Sequence, residues 1–504
     1  MKQDKPQSPA YETLTARERI ENRIGKTLAQ KYRDIEALTV LLDYRYKKGL
    51  EQKDDWRFSL IWVFLFDTLH GKKAISRIAA AVIAPVLWCA TRIKYAFRKK
   101  AEKRLMFSNT FLWNRRYPMV RKQIEKKTGC TEILSFYDTI KRATSNAKET
   151  LKDTLHLNSG SVRPVFIPRY SIAGAGLQRA AAEYIRLLSR MAQGKETVPE
   201  EETDRALARL RKAYSRRVAY LTKRLEKQKP ALYLTINQYN LRDLLLIHAC
   251  KNLGIPTMEL EHHAMEFARV QFDPDHPQPR LSYVSHYGYW SRTERLFHEK
   301  VFRYDNLLYP PDANRYIVSG NTEISYEQAV AFQRKYPVRR KLTYMTTGLE
   351  ETFFEDKKDL EKYEQWRWSI FSGLRELSRK QDLTVCLRYT PFREKYFKEK
   401  EIPVLKEWGF EISESVPENL MEDLCSSMAV MSSTSSVLAT ARLMGKIIYR
   451  VEDMEIRYIH IDDRVHEVTP AEIPDLIIPK GTEDTADRID PDGFFDIDRV
   501  LQSL

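Results

Sequence analysis

Apolar and polar positions alternate in blocks along most of this chain, and the period of each block assigns its element. Ala231 to Ile236 is a short apolar run with Tyr, Thr and Ile, the make-up of a strand. Asn240 then supplies an N-cap, with Asp243 three residues on in a capping-box-like pattern. Leu241, Leu244, Leu245, His248, Ala249 and Leu253 keep helical spacing, and Leu246, Ile247 and Cys250 widen the apolar face, as in a helix packed on a sheet. Gly254 occupies the position of a left-handed C′ residue and Pro256 blocks continuation. Thr257 to Leu260 starts a second strand, so the stretch is a βαβ unit.

The same alternation extends both ways. Strands are predicted at Leu105 to Ser108, Ile133 to Tyr137 and Val165 to Ile167, then at Tyr283 to Trp290 and Tyr316 to Val318. Helices are predicted from about Tyr117 to Lys127, from Asp138 onward, from Gly174 to about Met191, and over Glu200 to Lys227. Asp273 to Pro279 reads as a proline-rich loop, and Arg334 to Lys341 as a domain joint. The second half repeats the pattern: strands at Leu342 to Thr346, Leu383 to Leu387, Ala429 to Met431 and Ile447 to Val451, with helices at Asp359 to Lys380 and Ser436 to Met444. This predicts an α/β protein with two Rossmann-like domains facing a cleft, residues 100–325 and 326–504, behind an N-terminal helical extension, residues 1–99.

The extension breaks the pattern. Thr13 to Gly49 is charged with helical spacing and predicts helices on a solvated surface. Two apolar runs follow, Phe58 to Phe66 and Ile78 to Thr91, the second bounded by Arg77 and Arg92 and interrupted by Pro85. That window is shorter than the ~20 residues a spanning helix requires. Its flank carries Arg92, Lys94, Arg98, Lys99, Lys100, Lys103 and Arg104, which suits contact with an anionic membrane surface; a buried helical pair capped by solvated charge is the other reading.

Composition narrows the partners. The chain has 504 residues, 43% hydrophobic, which is enough for two or three folded domains and excludes a disordered class. A net charge of +15 favours anionic partners. The arginines of the 200–227 helix are interleaved with acids and apolar residues, and no helix-turn-helix, zinc-finger or RNP signature is present, so no nucleic acid is expected. Cys89, Cys130, Cys250, Cys386 and Cys425 lie far apart, as buried thiols of a reducing compartment do, with neither disulfide nor zinc spacing. The polar start, MKQDKPQSPAYETL, lacks a signal-peptide core, so a cytoplasmic location is expected, peripheral at the inner face of the cell membrane if the basic flank binds there.

Candidate chemistry falls at strand ends, where open parallel sheets bind ligands. Glu261, His262, His263 and Glu266 directly follow the second strand of the βαβ unit and are candidate bases. In the second half, three loops follow strands: Thr346 to Glu351, with Thr347 and Gly348; Arg388 to Arg393; and Ser432 to Ser436, with Ser433, Thr434, Ser435 and Ser436 opening a helix. Hydroxyls and free N–H groups at a helix start, with Arg388 and Arg393, are the donors a phosphate prefers; plain N-capping is the other reading of the serines. Asp273, Asp275, Asp490 and Asp492 form acidic pairs in proline-containing loops, and no metal site is expected from them.

Three segments carry a family resemblance. Asn252 to His262 resembles the "lGIPtvElQHG" segment of GT-B glycosyltransferases of capsule, lipopolysaccharide and teichoic-acid assembly. Ser433 to Leu438 with Gly445 and Lys446 resembles their "SSTvl-EA-lGkpvi" donor element, and Leu387 to Glu394 sits where that group carries "iKxHPre". Here His263 replaces the motif glycine, Thr390 replaces the histidine before Pro391, and Thr440 and Ala441 stand near the missing acid. The resemblance covers about residues 100 to 460 and implies a GT-B-like fold. It also implies a nucleotide-activated sugar as donor substrate, a polysaccharide or lipid-linked acceptor of the cell envelope, no cofactor and metal-independent transfer. By the same resemblance His262 matches the motif histidine, and Glu261 takes its glutamine's place. A glycerol- or polyol-phosphate transferase on the same fold, or a GT-B-like binding protein without turnover, are the alternatives.

Overall fold

In the computed structural model the described residues are 16–53, 104–108, 120, 123, 129–135, 162–167, 172–192, 198–227, 230–236, 238–261, 278–310, 315–322, 324–347, 349, 357–390, 394–413, 416, 419–452, 465–479 and 489–504. The predicted helices at Tyr117 to Lys127 and after Asp138 lie outside them, apart from Val120 and Gln123, as do both apolar runs and almost all of their basic flank.

The first domain contains α1 (Ala16–Ile24), α2 (Lys26–Lys31), α3 (Glu36–Lys53), β1 (Arg104–Ser108), β2 (Gly129–Ser135), β3 (Val162–Ile167), α4 (Gly174–Ala192), α5 (Glu200–Glu226), β4 (Leu232–Thr235), α6 (Leu241–Asn252), β5 (Thr257–Leu260), β6 (Gln278–Ser282), β7 (His286–Tyr289), α7 (Arg292–Val301), β8 (Phe302–Asn306) and β9 (Arg315–Val318). The second contains α8 (Tyr326–Lys335), β10 (Lys341–Met345), α9 (Lys357–Gln381), β11 (Thr384–Arg388), α10 (Lys395–Glu407), β12 (Glu411–Ile412), α11 (Leu420–Ser426), β13 (Ala429–Ser432), α12 (Val437–Leu443), β14 (Ile447–Val451) and β15 (Val465–Val468), followed by α13 (Ile497–Gln502).

Each domain is built on a doubly wound parallel sheet. The first has strand order β3-β2-β1-β4-β5-β7-β9 and the second β12-β11-β10-β13-β14-β15. Strand order reverses between β1 and β4 and again between β10 and β13, where the first strand pairs in parallel with a later one. These are the switch points at which such sheets open a crevice. Strands β4, β5, β7, β10 and β13 are buried along their whole length, as strands covered by helices on both faces must be. The α/β, two-domain, GT-B-like architecture is therefore present in the chain's own topology.

The βαβ unit forms as its residues dictate. Asn240 caps α6 by accepting from Asp243 N at 2.9 Å, and Gly254 ends it at φ 66°, a left-handed conformation open to glycine. Asp243 is fully buried and also accepts from Thr235 Oγ1 at 3.0 Å and from the Tyr233 hydroxyl, which ties the helix start to β4.

Three expectations need correction. The N-terminal helices are not a solvated extension: Leu38, Leu41 and Leu42 of α3 are fully buried in one core with Tyr184, Leu188, Tyr214 and Leu244. The charged ends of that segment mask a short apolar centre, Ala37 to Leu42 with Thr39 inside it. Residues 16–46 thus belong to the first domain. Second, the chain end leaves the second domain: Phe495, Ile497 and Val500 pack with Leu105, Leu232, Leu234 and Met258 of the first sheet. The crossing is tight, since a Cβ on Gly320, at φ 85°, would lie 2.2 Å from the Phe494 carbonyl. Third, the proline-rich loop ends in β6, which pairs with β8 in a separate two-stranded sheet; an edge position tolerates Pro279.

Arginines of α5 are ion-paired on an exposed face. Arg209 meets Glu183, and Arg211 meets Asp34 at 2.7 Å.

Candidate functional site

The acceptor-side candidates begin where β4 and β5 end. Gln238 follows β4 and is fully buried. Its backbone N–H donates to the Glu259 carboxylate at 3.3 Å and its side-chain amide donates to the other carboxylate oxygen. Its Oε1 accepts from the backbone N–H of Tyr283 at 2.6 Å and of Val284 at 3.2 Å. One side chain therefore locks β4, β5 and the approach to β7 together. Burial pushes the Glu259 carboxyl up to about 7, with the neighbouring Glu261 charge adding and Arg280 opposing.

Glu261 is buried and held at three points. Its N–H donates to Gly288 O at 2.9 Å, its carbonyl accepts from Trp290 Nε1 at 2.8 Å, and its carboxylate faces Arg280 Nη2 at 3.4 Å. Arg280 packs over the rings of Phe302 and Tyr304 and donates to Tyr239 Oη at 3.3 Å and to His298 Nδ1 at 3.2 Å. That nitrogen also accepts from Tyr304 Oη at 2.7 Å. Burial, reinforced by the Arg280 charge, holds His298 well below the usual histidine range, hence neutral. His262, His263 and Glu266 lie outside the described residues. Sequence reasoning missed Arg280, Tyr304 and His298, which stand among loop-like or helical residues with no motif around them; Gln238, a lone amide between a strand and an N-cap, was the one available signal.

Glu259 sets a pH dependence. Its folded value, about 7, lies above the ordinary glutamate value of 4.5, so the native state binds its proton more tightly than the unfolded chain does. The stabilisation is complete below about 4.5 and is lost as pH rises through about 7, roughly 3 kcal/mol in all. Glu259→Gln is expected to flatten the urea-midpoint profile across that window; an unchanged slope would show that Glu259 is ionised throughout.

On the donor side, Thr346 and Thr347 follow β10 and the serine run follows β13, the two strands that flank the second switch point. Ser432 Oγ donates to Met345 O at 2.8 Å, joining the two strand ends. Ser435 Oγ accepts from Val437 N at 3.3 Å, while the N-cap residue itself, Ser436, makes no side-chain cap bond; Thr434, Ser435 and Ser436 keep partial exposure and Ser433 is buried. Thr347 Oγ1 bonds Tyr363 Oη at 2.5 Å. Gly348 and Arg393 lie outside the described residues.

Arg388 makes a different pairing from the one expected. Its Nη1 donates to Asp423 at 2.6 Å and to Ser413 Oγ at 3.1 Å, and its Nη2 donates to Val416 O at 2.7 Å. These partners lie in or near the connection between β12 and α11, and β10 separates β11 from the serine-bearing β13. A guanidinium facing a carboxylate at that distance is already neutralised, so the structure brings Thr346, Thr347 and the serine run together without Arg388.

The two strand edges meet through Trp290. Its indole N–H holds the Glu261 carbonyl, and its ring is buried in one cluster with Leu438, Ala439 and Ala441 of α12, the helix that the serine run opens. Beside it, Arg442 Nη2 donates to Ser291 Oγ at 3.2 Å and Asn321 Nδ2 donates to Thr440 Oγ1 at 3.3 Å. Thr440 and Ala441, at the place of the missing acid, thus serve the contact between domains.

Among the described residues no group of three or more His, Cys, Asp or Glu could hold a metal ion, and Cys250, Cys386 and Cys425 are free and buried. No described helix is long and apolar enough to cross a membrane.

No protein-family model matches the chain, and no curated protein matches it. Among solved structures, a putative UDP-N-acetylglucosamine 2-epimerase from Listeria monocytogenes aligns at 11% identity and TM-score 0.38, covering 78% of this chain and 92% of that one. A UDP-GlcNAc 2-epimerase from Neisseria meningitidis bound to UDP-GlcNAc aligns at 13% and 0.37, covering 79% and 98%. The wall teichoic acid polymerase TagF aligns at 11% and 0.34, covering 86% and 96%. With alignments this loose, the architecture rests on the chain's own strand order and the function on its own residues.

Proposed function

We propose that this chain is a glycosyltransferase that moves a sugar from a nucleotide-activated donor to a cell-envelope polysaccharide or lipid-linked acceptor. The observation that carries the reading is the Trp290 bridge. It joins a strand end bearing Glu261, with His262 next in sequence, to the helix opened by Ser433 to Ser436. Inverting transfer needs both sides at once: a base on the acceptor hydroxyl and donors for the departing phosphate. His262 is the first candidate base, with His263, Glu261 and Glu266 behind it. Thr347, Gly348 and the hydroxyls and N–H groups of the 433–436 run, with Arg393, are the candidate donors. The acceptor oxygen bonds to the anomeric carbon as its proton passes to the base, and the bond to the nucleotide oxygen breaks with its electron pair on the phosphate. The reading assigns no step to a metal.

A thermal-shift panel of UDP, GDP, CMP and CDP compounds tests the reading, because a ligand bound only by the native state raises apparent stability. Nucleotide release from the sugar conjugate of the responding base then tests turnover. No response to any nucleotide removes the proposal; binding without release leaves a binding protein on this fold.

The acceptor class makes a further prediction. The Ile78 to Thr91 segment and its basic flank are expected to bind anionic vesicles, with each lysine or arginine near the surface contributing about 1 kcal/mol. Reversing charge at Lys99, Lys100 and Lys103 is expected to weaken cosedimentation with vesicles. Equal partitioning of wild type and variant at low and moderate salt would remove membrane contact from the proposal.

A further inference from the structure

Behind the donor-side loops lies a buried ionic cluster that no step above uses. Arg367 of α9 is 1% exposed. It pairs bidentately with Glu401 at 2.6 and 2.7 Å and reaches Glu394 Oε1 at 2.9 Å. Glu394 is fully buried and adopts φ 60°, a left-handed conformation that a non-glycine residue holds only when its surroundings enforce it. Its other oxygen, Oε2, accepts from the backbone N–H of Thr390 at 2.9 Å and from the Thr346 hydroxyl. One carboxylate therefore ties the residue after β10 to the loop after β11. Tyr389 Oη donates to Glu401 at 2.9 Å and Tyr363 Oη bonds Thr347, so the next residue on the β10 side is tied to the same cluster.

We infer that Arg367 and Glu394 are positioning residues for the donor phosphate: together they hold Thr346, Thr347 and Thr390, just past the ends of β10 and β11, in the one arrangement that presents them to it. This rests on the glycosyltransferase reading. Packing alone does not explain the cluster, because apolar residues of the same volume fill a core at least as stably as a buried ion pair. What charge adds is direction. Arg367 fixes one Glu394 oxygen, so the other faces Thr346 and Thr390.

The hydrogen-bond inventory supplies a specific test. Both oxygens of Glu394 accept from donors, so the amide of Glu394→Gln must place its NH₂ against either Arg367 or Thr390. The side chain keeps its size, and the loop connection breaks or turns. Thr346→Val removes one donor to Glu394 and leaves the ion pairs intact. UDP and uridine, GDP and guanosine, and CDP and cytidine are titrated in parallel by NMR, which reads millimolar binding. The readout is the ratio of diphosphate to nucleoside affinity, in proteins whose fold is checked by circular dichroism.

Glu394→Gln is expected to lower that ratio roughly ten- to hundredfold, with Thr346→Val lowering it less. A merely structural role would weaken both ligands together and leave the ratio alone. An unchanged ratio in both folded variants overturns the inference; if Glu394→Gln does not fold, an unchanged ratio in Thr346→Val does so by itself. Failure of the wild type to bind any diphosphate overturns the donor reading and this inference with it, and that outcome shows before any variant is made.

Discussion

Arg367→Met is expected to destabilise the second domain by about 3–5 kcal/mol, the penalty for stripping the counter-charge from buried carboxylates. Methionine retains much of the arginine stem's volume, so the loss comes from Glu394 and Glu401 rather than from a cavity. Arg367 meets the two carboxylates at 2.9 and 2.6 Å. The effect is pH-dependent with a defined sign. Burial already pushes the Glu401 carboxyl up, with Arg367 opposing, and removal of the guanidinium raises it further. A folded value above the unfolded one means that stability is kept at low pH and lost as pH rises. The gap between wild type and variant should therefore narrow as pH falls toward 4.5 and widen toward neutrality. Urea midpoints at a series of pH values read this directly. A constant gap would show that the cluster is held by packing rather than by charge.

His262→Ala is expected to lower turnover roughly 10²–10⁴-fold if its imidazole takes the acceptor proton. The residue before it gives physical grounds for choosing it first. Glu261 has its N–H, carbonyl and carboxylate all engaged, and a base works only where it is held within reach of the reacting oxygen. Nucleotide affinity should change little, because the donor candidates belong to the other sheet. The informative comparison is His263→Ala, since two adjacent residues following a strand cannot both occupy the same place. Full turnover in both variants, with wild-type melting curves, would move the role to Glu261 or Glu266. If Glu261 then proves to be the base, Arg280→Met should alter the pH profile of turnover, because that guanidinium faces its carboxylate at 3.4 Å.

Short-range regularity in the sequence carried the architecture. The βαβ unit at 231–260 was legible because each signal acts within a few residues: the strand run, the Asn240 cap, the helical face, Gly254 and Pro256. The alternation of such units was enough to predict two parallel sheets, and the loops at their strand ends could be located by counting. The misreadings had local causes too. Charges at the ends of a helical segment hid the apolar centre of α3, and Pro279 disguised the edge strand β6.

Partners of charged side chains were a different matter. Arg388 and Ser433 looked like neighbours because both follow strands, yet the guanidinium meets Asp423, 35 residues away. Arg280 meets Glu261 and His298 across the small sheet, Arg367 collects carboxylates 27 and 34 residues away, and the last helix crosses back to the first sheet. Periodicity records which face of an element leaves water, since the hydrophobic effect has no direction and asks only for burial. An ion pair or hydrogen bond demands a particular partner at a particular angle, and among many arginines and acids only the packed sheets and helices decide which of them meet.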